Sequence, residues 1–217
     1  MTNPDPMDDS LGVEAALAVE QRRAATYRLL AALYHQPTDW PPNLFDDLDG
    51  GKGEGDDASA DGEAVDIDAE TLQAAIPDDK PLRLDHAQLF VGPFDLAAPP
   101  YESVYVDGNE DTRVMTSTTD AVQAEYHEAG VDIAIDEPAD HIAAELEFVS
   151  LLVATECEAL AAGEFEAVEH YLNREYEFLV SHLGRWVSEL ADNMREHANT
   201  EFYRLLADET QQFVERD

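Results

Sequence analysis

Apolar side chains recur at helical spacing along most of this chain. The clearest stretch runs from Ala139 to Ala162 and has apolar residues at i, i+4, i+7 and i+11, namely Ile142, Leu146, Val149 and Val153. This spacing puts the four side chains on one face of a helix. Pro138 suits the first turn, where the N–H that proline lacks would have no partner inside the helix. The pattern predicts a long amphipathic helix over 139–162.

Weaker patterns of the same kind predict helices in the rest of the chain. The first covers 13–34, and shorter ones lie near 43–48, 68–76, 81–91 and 116–129, the last followed by Gly130 as a C-cap. Two or three more fill 164–215, with breaks near Gly163, Gly184 and Asn199. The run 103–107 is too short and too isolated to build a sheet. The sequence therefore predicts an all-α fold, a single-domain helical bundle over 13–217.

One segment inside the chain has no apolar face. The acidic insertion at about 50–66 consists mostly of Gly, Asp, Glu and Ala. It cannot bury enough apolar surface to offset the entropy of ordering. We predict disorder in this insertion and over residues 1–12.

A proline-rich stretch separates the helices predicted near 81–91 and 116–129. It contains the run Ala-Pro-Pro-Tyr-Glu-Ser-Val-Tyr at 98–105. The prolines fix their own φ and push the residues before them toward extended geometry. We predict a long crossing loop whose stiff, exposed ribbon presents Tyr101 and Tyr105 to a partner.

The charge of the chain is strongly negative. Asp and Glu number 49 against 12 Lys and Arg, which gives a formal net charge of −37. Self-repulsion of this size opposes a compact state in dilute buffer, whereas at molar salt the screening length falls to roughly 3 Å. We therefore expect a protein from a halophile. We expect no nucleic-acid partner, because binding to phosphates requires clustered Lys and Arg.

The sequence shows no sign of export. Its one cysteine, Cys157, excludes an internal disulfide, and its apolar surroundings predict a buried core position. The first residues have neither the basic region nor the apolar segment of a signal peptide, and no apolar run is long enough to span a bilayer. We expect a cytoplasmic protein without stable membrane insertion.

Candidate chemistry centres on Asp140, His141 and Glu145. His141 and Glu145 share a helical face with Asp140 beside them, so a metal site is conceivable on spacing alone. The structural alternative is a histidine at a helix start, hydrogen-bonded to Asp140 or Glu145. The chain has neither the Glu-x-x-His motif of di-iron helices nor His-Glu-x-x-His, and Ser103 lacks the Gly-x-Ser-x-Gly context of a nucleophile. We expect no metal, no cofactor and no catalytic residue.

Three motifs resemble those of a known family. They are Leu-Phe-x-Gly-Pro at 89–93, Ala-Pro-Pro-Tyr-x-Ser-Val-Tyr-x-Asp at 98–107 and Glu-Pro-x-Asp-His-x-x-x-Glu-Leu at 137–146. His-Leu-x-x-Trp at 182–186 is a further landmark. Together these motifs are similar to those of the TorD/DmsD group of cytoplasmic chaperones, with the NarJ-type proteins as more distant relatives. That group matures molybdenum enzymes.

The resemblance implies a TorD-like fold with a concave face for a peptide. The peptide would be the twin-arginine leader of a molybdopterin oxidoreductase precursor, with paired arginines followed by an apolar stretch. The implied peptide-binding residues are Leu89, Phe90, Pro99, Pro100, Tyr101, Ser103, Tyr105, Asp140, His141 and Glu145. Tryptophan is commoner in the family where this chain has Tyr101, and a small residue is common where it has Glu102. The leader's arginines could pair with Asp140 or Glu102.

Three functions follow as hypotheses. The first is a non-enzymatic chaperone that binds the leader or the apo form of a reductase of the dimethyl sulfoxide class, assists cofactor insertion and delays export. The second is a metal-dependent helical enzyme that uses Asp140, His141 and Glu145. The third is an adaptor that binds a folded partner. We predict the first, as a monomer or a dimer formed by helix exchange.

Overall fold

The computed structural model describes residues 6–49, 67–92, 96–107, 116–131 and 137–217. These ranges contain ten α-helices, two short 3-10 helices and no strand, so the predicted all-α fold is confirmed. The acidic insertion predicted to be disordered at about 50–66 lies outside the described residues. The single domain over 13–217 stays a prediction.

The helices have the following bounds in chain order. They are α1 (Pro6–Tyr34), α2 (Asp46–Asp49), α3 (Ala69–Ala74), α4 (Asp79–Phe90), α5 (Glu102–Val106), α6 (Ser117–Glu128), α7 (Ile142–Ala162), α8 (Phe165–Ser181), α9 (Val187–His197) and α10 (Glu201–Arg216). The 3-10 helices are Pro37–Asp39 and Leu183–Arg185. Three helices therefore fill the region predicted to hold two or three, and they break near the expected Gly163, Gly184 and Asn199.

Two helix starts differ from the expectation. Helix α1 begins at Pro6, so it includes part of the segment 1–12 that was predicted to be disordered; residues 1–5 lie outside the described part of the chain. Helix α7 begins at Ile142 rather than at Ala139, because His141 has an extended backbone with φ of −75° and ψ of 138° and acts as the N-cap. Pro138 therefore precedes the helix instead of opening it.

The core forms where α7 packs between α1 and α8, while α9 pairs with α10. The predicted apolar face of α7 is buried as expected: Ile142, Leu146, Val149 and Val153 are all fully enclosed. Ser150 also lies on the α1 side, where its hydroxyl donates a hydrogen bond to the carbonyl of Ala24 across 2.8 Å. Cys157 is a free, buried thiol, as its apolar surroundings predicted.

Helix ends are fixed by local chemistry at several points. Gly130 and Gly163 both have φ of +73°, in the left-handed region that favours glycine; Gly163 is the C-cap of α7, and Gly130 comes one residue after Ala129, the C-cap of α6. Thr116 opens α6 with a reciprocal capping box that involves Thr119. These caps fix both ends of α6 and the C-terminal end of α7.

The start of α10 is capped from another helix. Asp85 on α4 is buried and accepts hydrogen bonds from the backbone N–H groups of Asn199 and Thr200, at 2.9 and 2.7 Å, and from the Thr200 hydroxyl at 2.6 Å. One carboxylate therefore binds the two backbone N–H groups that lead into α10 and ties the start of that helix to α4. In the described ranges, no helix combines the length and hydropathy needed to cross a bilayer.

Candidate functional site

The proline-rich segment does not form the exposed ribbon that the sequence predicted. Residues Glu102–Val106 form the short helix α5. Tyr105 stacks on buried Trp186 with ring centroids 5.4 Å apart, and Tyr101 is half-buried. The expectation of extended geometry was wrong from Glu102 onward. The reason lies in another part of the same chain, with which this segment pairs.

That partner is the residue run just before α7. The backbone N–H of Glu102 donates to the carbonyl of Asp140 at 2.9 Å, and the N–H of Ile142 donates to the carbonyl of Pro100 at 2.9 Å. These bonds make a single antiparallel bridge between Tyr101 and His141. The two motifs implied by the resemblance are therefore joined by backbone hydrogen bonds. The tyrosine and histidine rings meet edge to face with centroids 5.3 Å apart.

Asp140 explains why α5 is helical. Its carboxylate accepts a hydrogen bond from the backbone N–H of Ser103 at 3.0 Å, one of the donors that the first turn of a helix leaves free. Asp140 is fully buried. It therefore caps α5 from outside, through one of its two carboxylate oxygens.

His141 is the N-cap of α7. Its Nδ1 accepts a hydrogen bond from the backbone N–H of Ala143 at 3.1 Å, so the expected hydrogen bond to Asp140 or Glu145 is replaced by a bond to the backbone. Burial lowers the pKa of His141 to about 3, and the neighbouring His35 and His86 act in the same direction. The ring is neutral in the folded protein above that pH, with Nδ1 unprotonated.

This cap predicts a dependence of stability on pH. In the unfolded chain His141 binds a proton near its ordinary pKa of 6.5, whereas in the folded protein it binds one only near 3. The unfolded state therefore takes up more protons between these values, and stability falls as the pH falls through that window. His141→Asn keeps a capping oxygen but has no titrating ring. Between pH 7 and pH 5, its free energy of unfolding should therefore fall by about 2 kcal/mol less than that of the wild type.

Urea unfolding of wild type and His141→Asn across this pH range measures the difference. His170→Asn, at an exposed position on α8, is the matched control and should follow the wild type. An identical pH dependence for wild type and His141→Asn would contradict the capping role of the neutral ring.

Glu102 is at the centre of a buried polar cluster. It is fully enclosed, and its Oε2 lies 3.0 Å from Nδ1 of His182, while Arg185 lies 3.9 Å from its Oε1. The unusual glutamate at this position therefore has matching partners within the chain, at the family landmark His-Leu-x-x-Trp. Glu102 and Asp140 are both fully buried, and each has one carboxylate oxygen bonded within the protein, so pairing of either one with a leader arginine stays a prediction.

Glu145 completes this cluster. Its Oε2 accepts a hydrogen bond from the indole N–H of Trp186 at 3.1 Å, while Oε1 of Glu145 and Oε1 of Glu102 are both buried without a donor. Burial raises the pKa of Glu145 well above 4.5, and the charge of Glu102 and a hydrogen bond to it raise it further. When Glu145 is protonated, a hydrogen bond from its carboxyl to Glu102 satisfies both of these oxygens, Oε1 of Glu145 and Oε1 of Glu102.

The ten predicted site residues fall into two groups. Pro99, Tyr101 and Tyr105 are partly exposed. The other members are buried: Leu89, Phe90, Pro100, Ser103, Asp140, His141 and Glu145. The structure thus brings the motifs together, but it fills the space between Tyr101 and His141 with their own rings instead of leaving a cleft. Sequence reasoning missed His182 and Trp186 as partners of this cluster, although it had marked both as family landmarks.

The metal-dependent alternative finds no support here. In the part of the chain that the structure describes, no group of three or more His, Cys, Asp or Glu side chains could hold a metal ion. Asp140 is bonded to Ser103, Nδ1 of His141 to Ala143, and Glu145 to Trp186. These contacts leave the three residues in structural roles.

Comparisons with known proteins agree with the motifs. Residues 56–192, more than half of the 217, match the sequence model of the family described as nitrate reductase delta subunit, and this span contains all ten predicted site residues. No curated protein matches. Among solved structures, the chain is similar to an Archaeoglobus fulgidus protein described as a redox enzyme maturation protein. Identity is 22% and the TM-score is 0.56, with 88% of this chain and 93% of that chain covered. At this level of identity the likeness concerns the fold.

Proposed function

Because the chain belongs to the nitrate reductase delta subunit family, which includes the NarJ- and TorD-type maturation chaperones, we propose that it is a chaperone for a molybdopterin-containing oxidoreductase. It would bind the twin-arginine leader of the precursor in the cytoplasm and hold the apo form until the cofactor is inserted. The observation that carries this proposal is the family match over residues 56–192, which spans the joined proline-rich and Asp-His motifs. We propose no catalytic step.

The contact surface we propose consists of the exposed parts of the site. Tyr101 and Tyr105 offer aromatic faces beside Pro99, and the Tyr101 hydroxyl donates to exposed Glu137 at 3.2 Å. Aromatic side chains held in place are typical anchors of binding surfaces. The buried members would then be positioning residues: Asp140, His141 and Glu145 fix the backbone on which Tyr101 and Tyr105 stand.

Truncation of Tyr101 tests this surface. We expect Tyr101→Ala to weaken binding of a twin-arginine leader peptide about tenfold or more, because truncating an interface anchor typically removes at least about 1.4–2 kcal/mol. The leader would come from a molybdoenzyme of the same organism and be titrated in molar KCl by calorimetry. Tyr171→Ala, a half-buried tyrosine on α8 outside this surface, is the matched control and should bind as the wild type does.

The outcomes separate the hypotheses. Unchanged affinity of Tyr101→Ala would contradict the proposed contact surface while leaving leader binding intact. Binding of the folded, leaderless enzyme but not of the leader would favour an adaptor. The client among reductases of the dimethyl sulfoxide class can be identified by titrating the leader of each reductase into the wild-type protein. We expect the leader of the client to bind most tightly.

A further inference from the structure

A groove of about 430 Å³ lies between α8 and the end of α10, away from the residues predicted to bind a peptide. Leu172, Tyr176 and Val180 form one wall, and Val214 of α10 contributes to the other side. Glu175 and Asp217 provide its polar part, together with Arg23 from α1. Apolar and acidic side chains therefore meet in one concave surface.

The wall on α8 continues as an apolar stripe. Leu172, Tyr176 and Val180 are spaced by four residues and are 44%, 68% and 56% exposed. Phe165, near the start of α8, is 66% exposed and lies seven residues before Leu172, so it falls on the same face. Large apolar side chains that are exposed together along a helix mark a surface for a partner.

The polar part of the groove carries excess negative charge. The guanidinium of Arg23 lies within 2.6 to 3.3 Å of four carboxylates, those of Glu20, Glu156, Glu175 and Asp217. These side chains come from α1, α7 and α8 and from the end of α10, and the hydroxyl of Tyr27 donates to Asp217 at 2.8 Å. A single positive charge cannot balance four buried or half-buried negative ones.

Glu175 shows how this excess is met. The residue is 2% exposed, and its Oε1 is buried without a hydrogen-bond donor while its Oε2 accepts from Arg23 at 2.7 Å. Burial raises the pKa of Glu175 to about 8, and that of Glu156 is raised as well. Near neutral pH the Glu175 carboxyl therefore holds a proton, and a cationic hydrogen-bond donor could take the place of that proton.

We propose that this groove binds the basic end of the leader, with an arginine directed to Glu175 and Asp217 and the adjoining apolar residues on Leu172, Tyr176 and Val180. The inference rests on the proposed function and adds a second contact region to it. The groove offers acidic and apolar groups side by side, and paired arginines followed by an apolar stretch are complementary to both.

Charge decides between this occupant and a second copy of the chain. A net charge of −37 on each copy opposes bringing two acidic grooves together. A cationic segment instead relieves the excess charge around Arg23. Because Glu175 and Glu156 are buried, molar salt screens their attraction for an arginine much less than it screens exposed charges.

A double-mutant cycle tests the inference. We expect Glu175→Gln to bind the leader about tenfold more weakly than the wild type, since a glutamine cannot lose a proton to become the anion that pairs with an arginine, while it keeps an oxygen for Arg23. A leader with both arginines changed to glutamine should bind the two proteins equally. Glu177→Gln, an exposed position on the same helix, is the matched control and should bind both leaders as the wild type does.

Proton release gives a second measurement. An arginine that displaces the proton held by Glu175 should release up to one proton on binding near pH 7, which calorimetry detects as an enthalpy that changes with the ionisation enthalpy of the buffer. Glu175→Gln should lose most of this release. A role of Glu175 in packing alone would leave the proton release unchanged.

The failures of the two proposals can be told apart. Equal leader affinity in wild type and Glu175→Gln overturns the groove and leaves the leader-binding function standing. Absence of leader binding in the wild type overturns both. A loss in Glu175→Gln that is the same for the arginine and glutamine leaders also overturns the groove, because it shows no contact between Glu175 and an arginine.

Discussion

Asp85→Ala is expected to destabilise the protein by about 3 kcal/mol or more. The variant leaves the backbone N–H groups of Asn199 and Thr200 without their acceptor at the start of α10. A hydrogen bond to a charged group contributes about 1.5–3 kcal/mol, and loss of a helix cap adds to this. Since a domain of this kind is stable by only about 5–15 kcal/mol, the loss is a large share of the total.

Urea unfolding in molar KCl measures the effect. Asp79→Ala on the same helix is the matched control, because the Asp79 carboxylate is 73% exposed and pairs with Arg83 at 3.0 Å, an i,i+4 ion pair. Asp79→Ala should lower the free energy of unfolding by no more than about 1 kcal/mol. Asp85→Asn should fall between the two, since one amide oxygen still accepts. Equal losses for Asp85→Ala and Asp79→Ala would show that α10 does not depend on this cap.

Trp186→Ala is expected to cost about 3–5 kcal/mol, the range for removing a fully buried aromatic side chain. The indole fills the space under Tyr105 and donates to Glu145, so its loss opens a cavity and leaves a carboxyl oxygen without a donor. Trp186→Phe keeps most of the packing and loses only the donor. It should therefore cost about 1–3 kcal/mol.

Trp40 provides the comparison for this series. It is half-buried, its indole N–H donates to the carbonyl of His35 at 3.2 Å, and its ring packs on Phe202. Trp40→Ala should destabilise the protein less than Trp186→Ala in the same urea titration. A larger loss for Trp40→Ala than for Trp186→Ala would show that Trp186 does not hold α5 against the core. It would also contradict the positioning role assigned to the buried polar cluster around Glu102 and Glu145.

The helices of this protein could be predicted wherever their apolar face is continuous in the sequence. In α7 the repeat of apolar residues identified both the helix and its buried side, because neighbours along the chain are also neighbours on the helix surface. The cap glycines after α6 and α7 were visible for the same reason. These features depend on contacts within about one turn.

Helix α5 could not be predicted in this way. Its first turn is stabilised by the carboxylate of Asp140, which lies 37 residues away from Ser103 in the sequence. Glu102 and His182 are 80 residues apart, so a glutamate that looked like a departure from the family pattern gained its explanation only from the fold. The resemblance identified residues that lie together in the fold. The contacts between them join residues far apart in the sequence, so they could not be predicted from local patterns. The sequence therefore indicated which motifs meet in the fold, but not that most of the predicted site residues are buried.

The backbone bridge between Tyr101 and His141 has a thermodynamic consequence for recognition. The aromatic rim, by which we mean Tyr101 and Tyr105, follows a backbone that is hydrogen-bonded to Asp140 and Ile142 at the start of α7, so its conformation is already set before any guest arrives. A guest would then lose its own freedom on binding, while the rim would lose little of its own. In the proposed binding surface, this preorganisation would let a small exposed area, a few aromatic faces beside a proline, contribute more to affinity than a mobile loop of the same composition.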